Sequence, residues 1–571
     1  SLSCACGLSG RFTGPRLRPR MSNRLLEDYD AEARAVERWW SSARWQNTRR
    51  PYSAEVVVAL RGSITPTLPA NVTARKLWAL LHELAPRGGY SHTFGALDPV
   101  QVVSMAPQLS SIYVSGWQCS STASTNNEPG PDLAAYPMDT VPNKVDQLFR
   151  AQLHHDRKQR EERSRMTPEQ RASQPPVDYL TPIVADGDTG HGGHIALMNL
   201  MKMFIERGAA GVHFEDQKAG TKKCGHMGGK VLVAVQEHCD RLIAARLQAD
   251  IMGTETILVA RTDAEAATLL DNNCDPRDHP FIVGATTPGT RPLREVLAEA
   301  AAAGADIAEV QQRWEDEAQL MRFTELIERE VLTRKPAMLQ HWQHFCSDHK
   351  EHGGLIVGIG GLQEEASRIL GAKNLPYFDW EAPRSREGYY RVKGGVDMCV
   401  ARGIAFAPYC DLLWMETKKP IMRDAEEFST GIKKVHPHQF LAYNLSPSFN
   451  WDAAGMTEAE LADFNNALGR LGYVWQFITL AGFHANGLAA SELAKAYAEQ
   501  GVAAYVRMIQ RRERELGLPL LTHQKWSGAE YIDRKMTTVT GGLGSTNAMG
   551  AGVTETQFGG PEQPMQMRSK L

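Results

Sequence analysis

Lys222-Lys223-Cys224-Gly225-His226 sets one thiol among two ammonium groups and an imidazole. A free thiol ionises near pH ~8.5 and neighbouring cations lower that value. The spacing therefore predicts a thiol poised toward neutrality, able to release a proton and take it back; a chance surface cluster is the alternative. Acids lie close by in sequence. Asp186-Gly187-Asp188 puts two carboxylates two residues apart, just before the glycine-rich turn Thr189-Gly190-His191-Gly192-Gly193. Such oxygen ligands suit Mg²⁺, which accepts one or two carboxylates and completes its shell with water and substrate. A turn in which Asp188 caps the following helix is the other reading. His213-Phe214-Glu215-Asp216 supplies a second acidic pair, and anions gathered at one place need a cation.

Donors for an anionic ligand recur further along. Arg261-Thr262-Asp263 offers a bidentate clamp for a substrate carboxylate, or else a salt bridge to one of the acids above. Asn444-Leu445-Ser446-Pro447-Ser448 carries an amide and two hydroxyls in a loop stiffened by proline, suited to a second carboxylate or simply to a turn. Tyr113-Val114-Ser115-Gly116-Trp117 adds hydroxyls, a flexible glycine and an aromatic wall, and Glu416 and Thr479 close two further apolar runs. A hard-metal site, donors for two or three carboxylates and one thiol together fit a metal-assisted, aldol-type cleavage of a polycarboxylate. The metal would act as Lewis acid and the thiol as proton donor.

These residues need a scaffold that brings them to one place. Short apolar runs at Ile112–Trp117, Pro182–Asp186, Gly211–Glu215, Thr256–Arg261, Leu412–Glu416, Phe440–Asn444 and Gln476–Leu480 alternate with segments of helical period. That alternation predicts an α/β fold with a helix-covered parallel sheet. With an eighth strand near His92–Leu97, the expectation is a (β/α)₈ TIM-type barrel whose chemistry lies at the C-terminal rim. An open doubly wound sheet is disfavoured because no GxGxxG follows the first strand. The barrel is expected over residues 91–285 and 387–500, after a helical N-terminal extension at 21–90 with Trp39 and Trp40 as packing anchors. An Ala/Glu/Gln/Arg-rich helical insertion at 286–386 would take Trp342, His344 and Phe345 into its core. A C-terminal helical region and tail at 501–571 would include a mobile loop over Thr537–Thr556.

Composition narrows the partners. A net charge of −3 and a pI near 6.7 give no electrostatic case for nucleic acid. No apolar run approaches the ~18 residues of a membrane span. The nine cysteines are odd in number and form no CxxC pair, which points to reduced thiols and away from a disulfide framework. Residues 1–20 carry Arg11, Arg16, Arg18 and Arg20 and no acid, as in a transit leader or sequence upstream of a start at Met21. Ser569-Lys570-Leu571 matches the address read by the peroxisomal import receptor, so a peroxisomal or glyoxysomal location is expected, or a mitochondrial one if the leader acts as a transit peptide.

The motifs together resemble the isocitrate lyase family over about residues 25 to 558. The signature is Lys222 to Lys230 (KKCGHMGGK). It is accompanied by Ser115-Gly-Trp-Gln118, Val184-Ala-Asp-Gly-Asp188, His213-Phe-Glu-Asp216, Ala260-Arg-Thr-Asp-Ala264, Trp414-Met-Glu416, the run from Tyr443 to Trp451 and that from Phe477 to His484. The resemblance implies a homotetramer that cleaves isocitrate to glyoxylate and succinate, with an insertion like that of eukaryotic members. By similarity, Asp186 would hold Mg²⁺ (or Mn²⁺ in its place) with help from Asp132, Asp188 and Glu215. Ser115, Gly116, Trp117, Gly225, His226, Arg261, Asn444, Leu445, Ser446, Pro447, Ser448 and Thr479 would contact substrate. Cys224 would protonate the succinate carbanion, with His226, Tyr113, His213 and Glu416 as further candidate catalytic groups and Tyr113 as the candidate base. Leu445 and Asp188 depart from the Cys and Glu frequent in bacterial relatives. The alternatives are a 2-methylisocitrate lyase, whose extra methyl is worth only ~1–3 kcal/mol of discrimination, and a catalytically silent scaffold, which would have lost these residues.

Overall fold

The computed structural model describes residues 28–123, 128–351 and 358–558. The Arg-rich leader and the Ser569-Lys570-Leu571 address lie outside them. The chain divides into two units, 1–66 and 67–571. In the first, helices Tyr29–Trp40 and Ala54–Leu60 bury Ala33, Val36, Ala54 and Val58, with Trp39 and Trp40 packed against that cluster as expected.

The second unit is built on a closed barrel of eight parallel strands. In chain order these are β1 (Thr93–Gly95), β2 (Ser111–Val114), β3 (Ile183–Asp186), β4 (Gly211–Glu215), β5 (Ile257–Thr262), β6 (Leu412–Met415), β7 (Phe440–Asn444) and β8 (Tyr473–Ile478). Each pairs with its sequence neighbour, and β1 closes on β8. All eight anticipated strands are present. The last begins three residues earlier than expected, at Tyr473, because Gly472 (φ 95°) ends the preceding helix and releases the chain directly into extended structure.

Register decides which residues meet. Asp186 pairs with His213 across β3 and β4, Glu215 with Arg261 across β4 and β5, and Arg261 with Trp414 across β5 and β6. Because successive side chains point to opposite faces, every second residue looks into the barrel. Ile257 and Val259 precede Arg261 on that face, Leu412 and Trp414 precede Glu416, and Trp475 and Phe477 precede Thr479. The N-terminal mouth is sealed by helix Pro69–Leu84, whose Ala74, Leu77, Leu81 and Leu84 pack on this inner cluster. That helix therefore belongs with the barrel and not with the N-terminal extension in which its sequence position placed it.

Among the described residues of the 286–386 segment are helices Leu293–Ala302, Ile307–Ala318, Phe323–Arg334, Leu339–Glu351 and Ile359–Leu370, with one short strand, Met321–Arg322. Trp342 is buried in its core and Phe345 packs against that core, but His344 is exposed, one correction to the expectation. The Thr537–Thr556 segment is not a free loop throughout. Helix Ala529–Val539 extends into it, Asp533 accepts from the amides of Ala548 and Met549 (2.7 and 2.8 Å), and Glu555 accepts from that of Lys525 (3.1 Å). Among the described residues no helix is long and apolar enough to cross a membrane.

Candidate active site

A cavity of about 240 Å³ opens where β2, β3 and β5–β8 end. Its wall includes fifteen of the residues singled out by sequence: Tyr113, Ser115, Trp117, Asp132, Asp186, Cys224, Gly225, His226, Arg261, Glu416, Asn444, Ser446, Pro447, Ser448 and Thr479. Cys224 and Asp186 thus face one small space. Trp414, Leu480 and His484 also line it and had been given no role. Trp414 could have been found from strand alternation, two residues before Glu416.

One side of the cavity is acidic. Asp132, Asp186 and Asp188 are buried, with one carboxylate oxygen from each lying within 4.8 Å of the others. Asp188 adopts a left-handed φ of 50°, which turns its amide back to donate to Asp186 Oδ1 at 3.0 Å. The Gly116 amide donates to Asp186 Oδ2 at 2.9 Å. A Cβ at Gly116 would lie 2.6 Å from the Tyr136 hydroxyl, which itself donates to Asp188, so close approach requires glycine there. Gly116 therefore serves the acids from behind the cavity wall. Burial pushes Asp132 up to about 6, and burial with the charge of Asp188 raises Asp186. Burial opposes ionisation of Asp188 as well, but Lys222 and His191 hold its carboxyl well below the usual range.

Lys222 corrects the reading of the thiol motif. Its ammonium is buried against Asp132 (2.5 Å) and Asp188 (2.6 Å), and Lys223 donates to the carbonyl of Thr221. The Cys224 thiol is half-buried, and burial raises its pKa above the ordinary value in spite of the nearby cations. It is held protonated, which is the state a proton donor needs. Glu215 also departs from expectation. Its carboxylate stands outside the acidic triad and pairs with Arg261 Nη1 at 3.2 Å.

Three carboxylates face one ammonium, and two like charges 4 Å apart repel by roughly 4 kcal/mol at an effective dielectric of 20. Asp132 Oδ1 is buried without a hydrogen-bond partner. This donor set of hard oxygens with two uncompensated charges fits a divalent cation.

The opposite side is cationic and hydroxylic. Arg261 Nε and Nη2 donate to both oxygens of Asp263, each at 3.0 Å, and the guanidinium stacks 4.5 Å from the Trp414 ring. His226 Nε2 lies 2.7 Å from Ser446 Oγ and 3.2 Å from Glu416 Oε1, while Asn444 Nδ2 donates to Glu416 at 3.4 Å. Burial opposes ionisation of Glu416, but Arg261 and His226 keep its carboxyl below the usual range. A Cβ at Gly225 would sit 2.6 Å from Glu416 Oε1, so a side chain there would displace the carboxylate. Leu445 does not line the cavity; its side chain packs in the core behind. The Tyr113 hydroxyl is 2.9 Å from His213 Nε2 and 3.3 Å from Asp186 Oδ2. Burial and Asp186 push the phenol well above its ordinary pKa, making Tyr113 a donor and not the resting base its position suggested. Burial lowers buried His213 to about 3, so its ring is neutral.

Fold and site together are those of a barrel enzyme whose acids, thiol and arginine, gathered at the C-terminal mouth of its strands, are suited to acid–base work on a small anion. Comparison with known proteins narrows this. The model of the isocitrate lyase family matches residues 32–558. An isocitrate lyase of Oryza sativa subsp. japonica is 53% identical, covering 93% of this chain and 94% of that protein. One of Saccharomyces cerevisiae is 51% identical, with coverage of 94% and 96%. A mitochondrial 2-methylisocitrate lyase of Hypocrea atroviridis is 44% identical, with coverage of 93% and 94%. The chain belongs to the isocitrate lyase family.

Proposed function

We propose that this enzyme is a carbon–carbon lyase that cleaves isocitrate to glyoxylate and succinate. The observation that carries the reading is the Cys224 thiol sharing one cavity with Arg261 and with Asp132 and Asp186, two acids of the carboxylate triad. Arg261 holds one substrate carboxylate and the Asn444–Ser448 loop another. The substrate hydroxyl gives its proton to a carboxylate of the cavity wall, for which Glu416 is held ionised, and the bond between the hydroxyl-bearing carbon and its neighbour breaks, leaving glyoxylate. The electron pair stays on the succinate fragment, and the Cys224 thiol delivers a proton to that carbon. His226, held by Ser446 and Glu416, lies next in the chain to Gly225 and orients the thiol segment. Asp186 with Asp132 and Asp188 would hold Mg²⁺, with Mn²⁺ as a substitute. When bound, the metal supplies Lewis-acid polarisation of the substrate hydroxyl and carboxylate.

The higher identity to isocitrate lyases than to the 2-methylisocitrate lyase favours isocitrate as substrate. The test is kcat/KM for the two substrates on purified protein. Isocitrate is expected to lead by about tenfold or more, and a lead for 2-methylisocitrate would reverse the assignment. A homotetramer is supported by exposed apolar residues along the C-terminal helices. Helix Ala481–Gln500 buries only Gly482, and Leu488 and Val502 are 63% and 70% exposed. Ser569-Lys570-Leu571 supports delivery through a peroxisomal import receptor.

A further inference from the structure

Arg261 can hold a substrate carboxylate only if its own guanidinium is fixed, and the groups that fix it form a chain leading away from the cavity. Asp263, which chelates Arg261, also takes Lys230 Nζ at 2.7 Å. The backbone amide of Asp263 donates to Asp216 Oδ1 at 2.9 Å, and Thr262 Oγ1 donates to Asp216 Oδ2 at 2.7 Å. One buried carboxylate thus pins the turn that follows Arg261 at two points. Asp216 in turn meets Arg402, whose Nη1 lies 3.0 Å from Asp216 Oδ2. Arg402 Nη2 donates to Asp278 Oδ1 at 2.6 Å and to the Val233 carbonyl at 2.9 Å. Arg402 is 1% exposed, Asp216 and Asp278 are fully buried, and none of the three lines the cavity.

A buried acid–arginine–acid triad is an expensive way to hold a fold together. Well-packed apolar side chains of similar volume are often as stable or more so. What a guanidinium adds is a planar fork that fixes two carboxylates in direction as well as distance. We infer that Arg402, on helix Val396–Phe406, is a positioning residue for Arg261: it orients Asp216, which sets the Thr262-Asp263 backbone and so aims the Asp263 carboxylate that holds the Arg261 guanidinium. This rests on the proposal that Arg261 binds a substrate carboxylate.

Arg246 provides the contrast. It is 2% exposed and pairs with Asp411 at 2.7 Å, but it bonds the Thr256 carbonyl at the start of β5, at the other end of the barrel from the cavity. A Lys substitution there perturbs a buried ion pair without reaching the site.

The test compares Arg402→Lys, Asp278→Asn, Arg246→Lys, Arg261→Lys and the Arg261→Lys/Arg402→Lys double variant in the full-length enzyme. Arg402→Lys and the milder Asp278→Asn are expected to raise KM for isocitrate by about tenfold while kcat changes by less than about threefold, the pattern of lost uniform binding. Arg246→Lys is expected to lower Tm as much as Arg402→Lys with KM unchanged. If Arg402 acts through Arg261, the double variant has the KM of Arg261→Lys alone. Unchanged KM in Arg402→Lys and Asp278→Asn, or multiplied effects in the double variant, overturns the role of Arg402. Unchanged KM in Arg261→Lys overturns the carboxylate clamp itself, and this role with it.

Discussion

The two mouths of the barrel are made by the same strands and differ in everything else. At the N-terminal mouth the inward residues are apolar, Ile257, Leu412 and Trp475 among them, and helix Pro69–Leu84 closes over them with Leu77 and Leu81. At the C-terminal mouth, four residues further along the same faces, stand Arg261, Glu416 and Thr479. One end gains stability by removing hydrocarbon from water. The other holds buried charges whose desolvation is met by one another and by a few amide and hydroxyl donors, and it is there that thiol, acids and arginine share a cavity. Function therefore sits at the end that the fold does not need for its core, and substitutions at the two ends should separate activity from stability.

The largest effect is expected from Cys224→Ser. A hydroxyl in place of the thiol is a much poorer acid, so kcat should fall by about 10²- to 10⁴-fold, the range for loss of a positioned proton donor. Tm should stay within a degree or so, because Cys224 lies in no apolar cluster. Near wild-type turnover would remove the thiol from the mechanism. The mirror image is Leu77→Ala at the other mouth. Leu77 is 1% exposed within the inner cluster, and truncation should cost about 2–5 kcal/mol of stability, read from denaturant unfolding, with kcat/KM unchanged.

A third, smaller effect belongs to neither mouth. His155, on helix Thr140–Ser164, is buried between the rings of Tyr179 and Trp526. Burial, with Lys158 and His154 nearby, lowers its pKa to about 4. In the unfolded chain a histidine takes up its proton near pH ~6.5, so between those values the unfolded state binds more protons and stability falls as pH falls. The expected loss between pH 6.5 and 4 is about 3 kcal/mol at ~1.36 kcal/mol per pKa unit. His155→Leu should remove that component from the pH dependence of unfolding; an unaltered profile would show that the histidine is not the group responsible.

Much of this contrast was legible in the chain. Apolar runs ending in polar residues announced strands whose C-terminal ends carry chemistry, and the register then brought Asp186 beside His213 and Glu215 beside Arg261. What did not follow were directions in space. Lys222 stands two residues from Cys224, yet its ammonium turns to Asp132 and Asp188, because a buried cation goes where the anions are densest and sequence distance carries no such information. Glu215 was read as a metal helper, but strand pairing gives it to Arg261. Tyr136 donates to Asp188 from a segment with no motif to mark it. Helix Pro69–Leu84 resembles any amphipathic helix until the barrel mouth it closes is known.

The smallest effect sharpens the comparison best, because it makes the charged mouth contribute to stability. Without a cation the Asp132, Asp186 and Asp188 carboxylates share the single ammonium of Lys222, and burial pushes Asp132 up to about 6. A folded-state pKa above the unfolded value means that stability is lost as pH rises from about 4 through 6, opposite in sign to His155. A cation that binds only the folded state reverses this. At a Mg²⁺ concentration a hundredfold above its Kd, the gain is about 2.7 kcal/mol. Calorimetry at pH 7.5 should therefore show a Tm that rises with Mg²⁺ and returns to baseline on chelation. In Asp186→Asn, one carboxylate charge is removed from the triad, so the metal-free Tm should be no lower than that of the wild type and the response to Mg²⁺ should disappear. If Asp186→Asn responded to Mg²⁺ like the parent, the ion would bind elsewhere, and the charged mouth would have to balance its acids with its own cations, Lys222 and Arg261 chief among them.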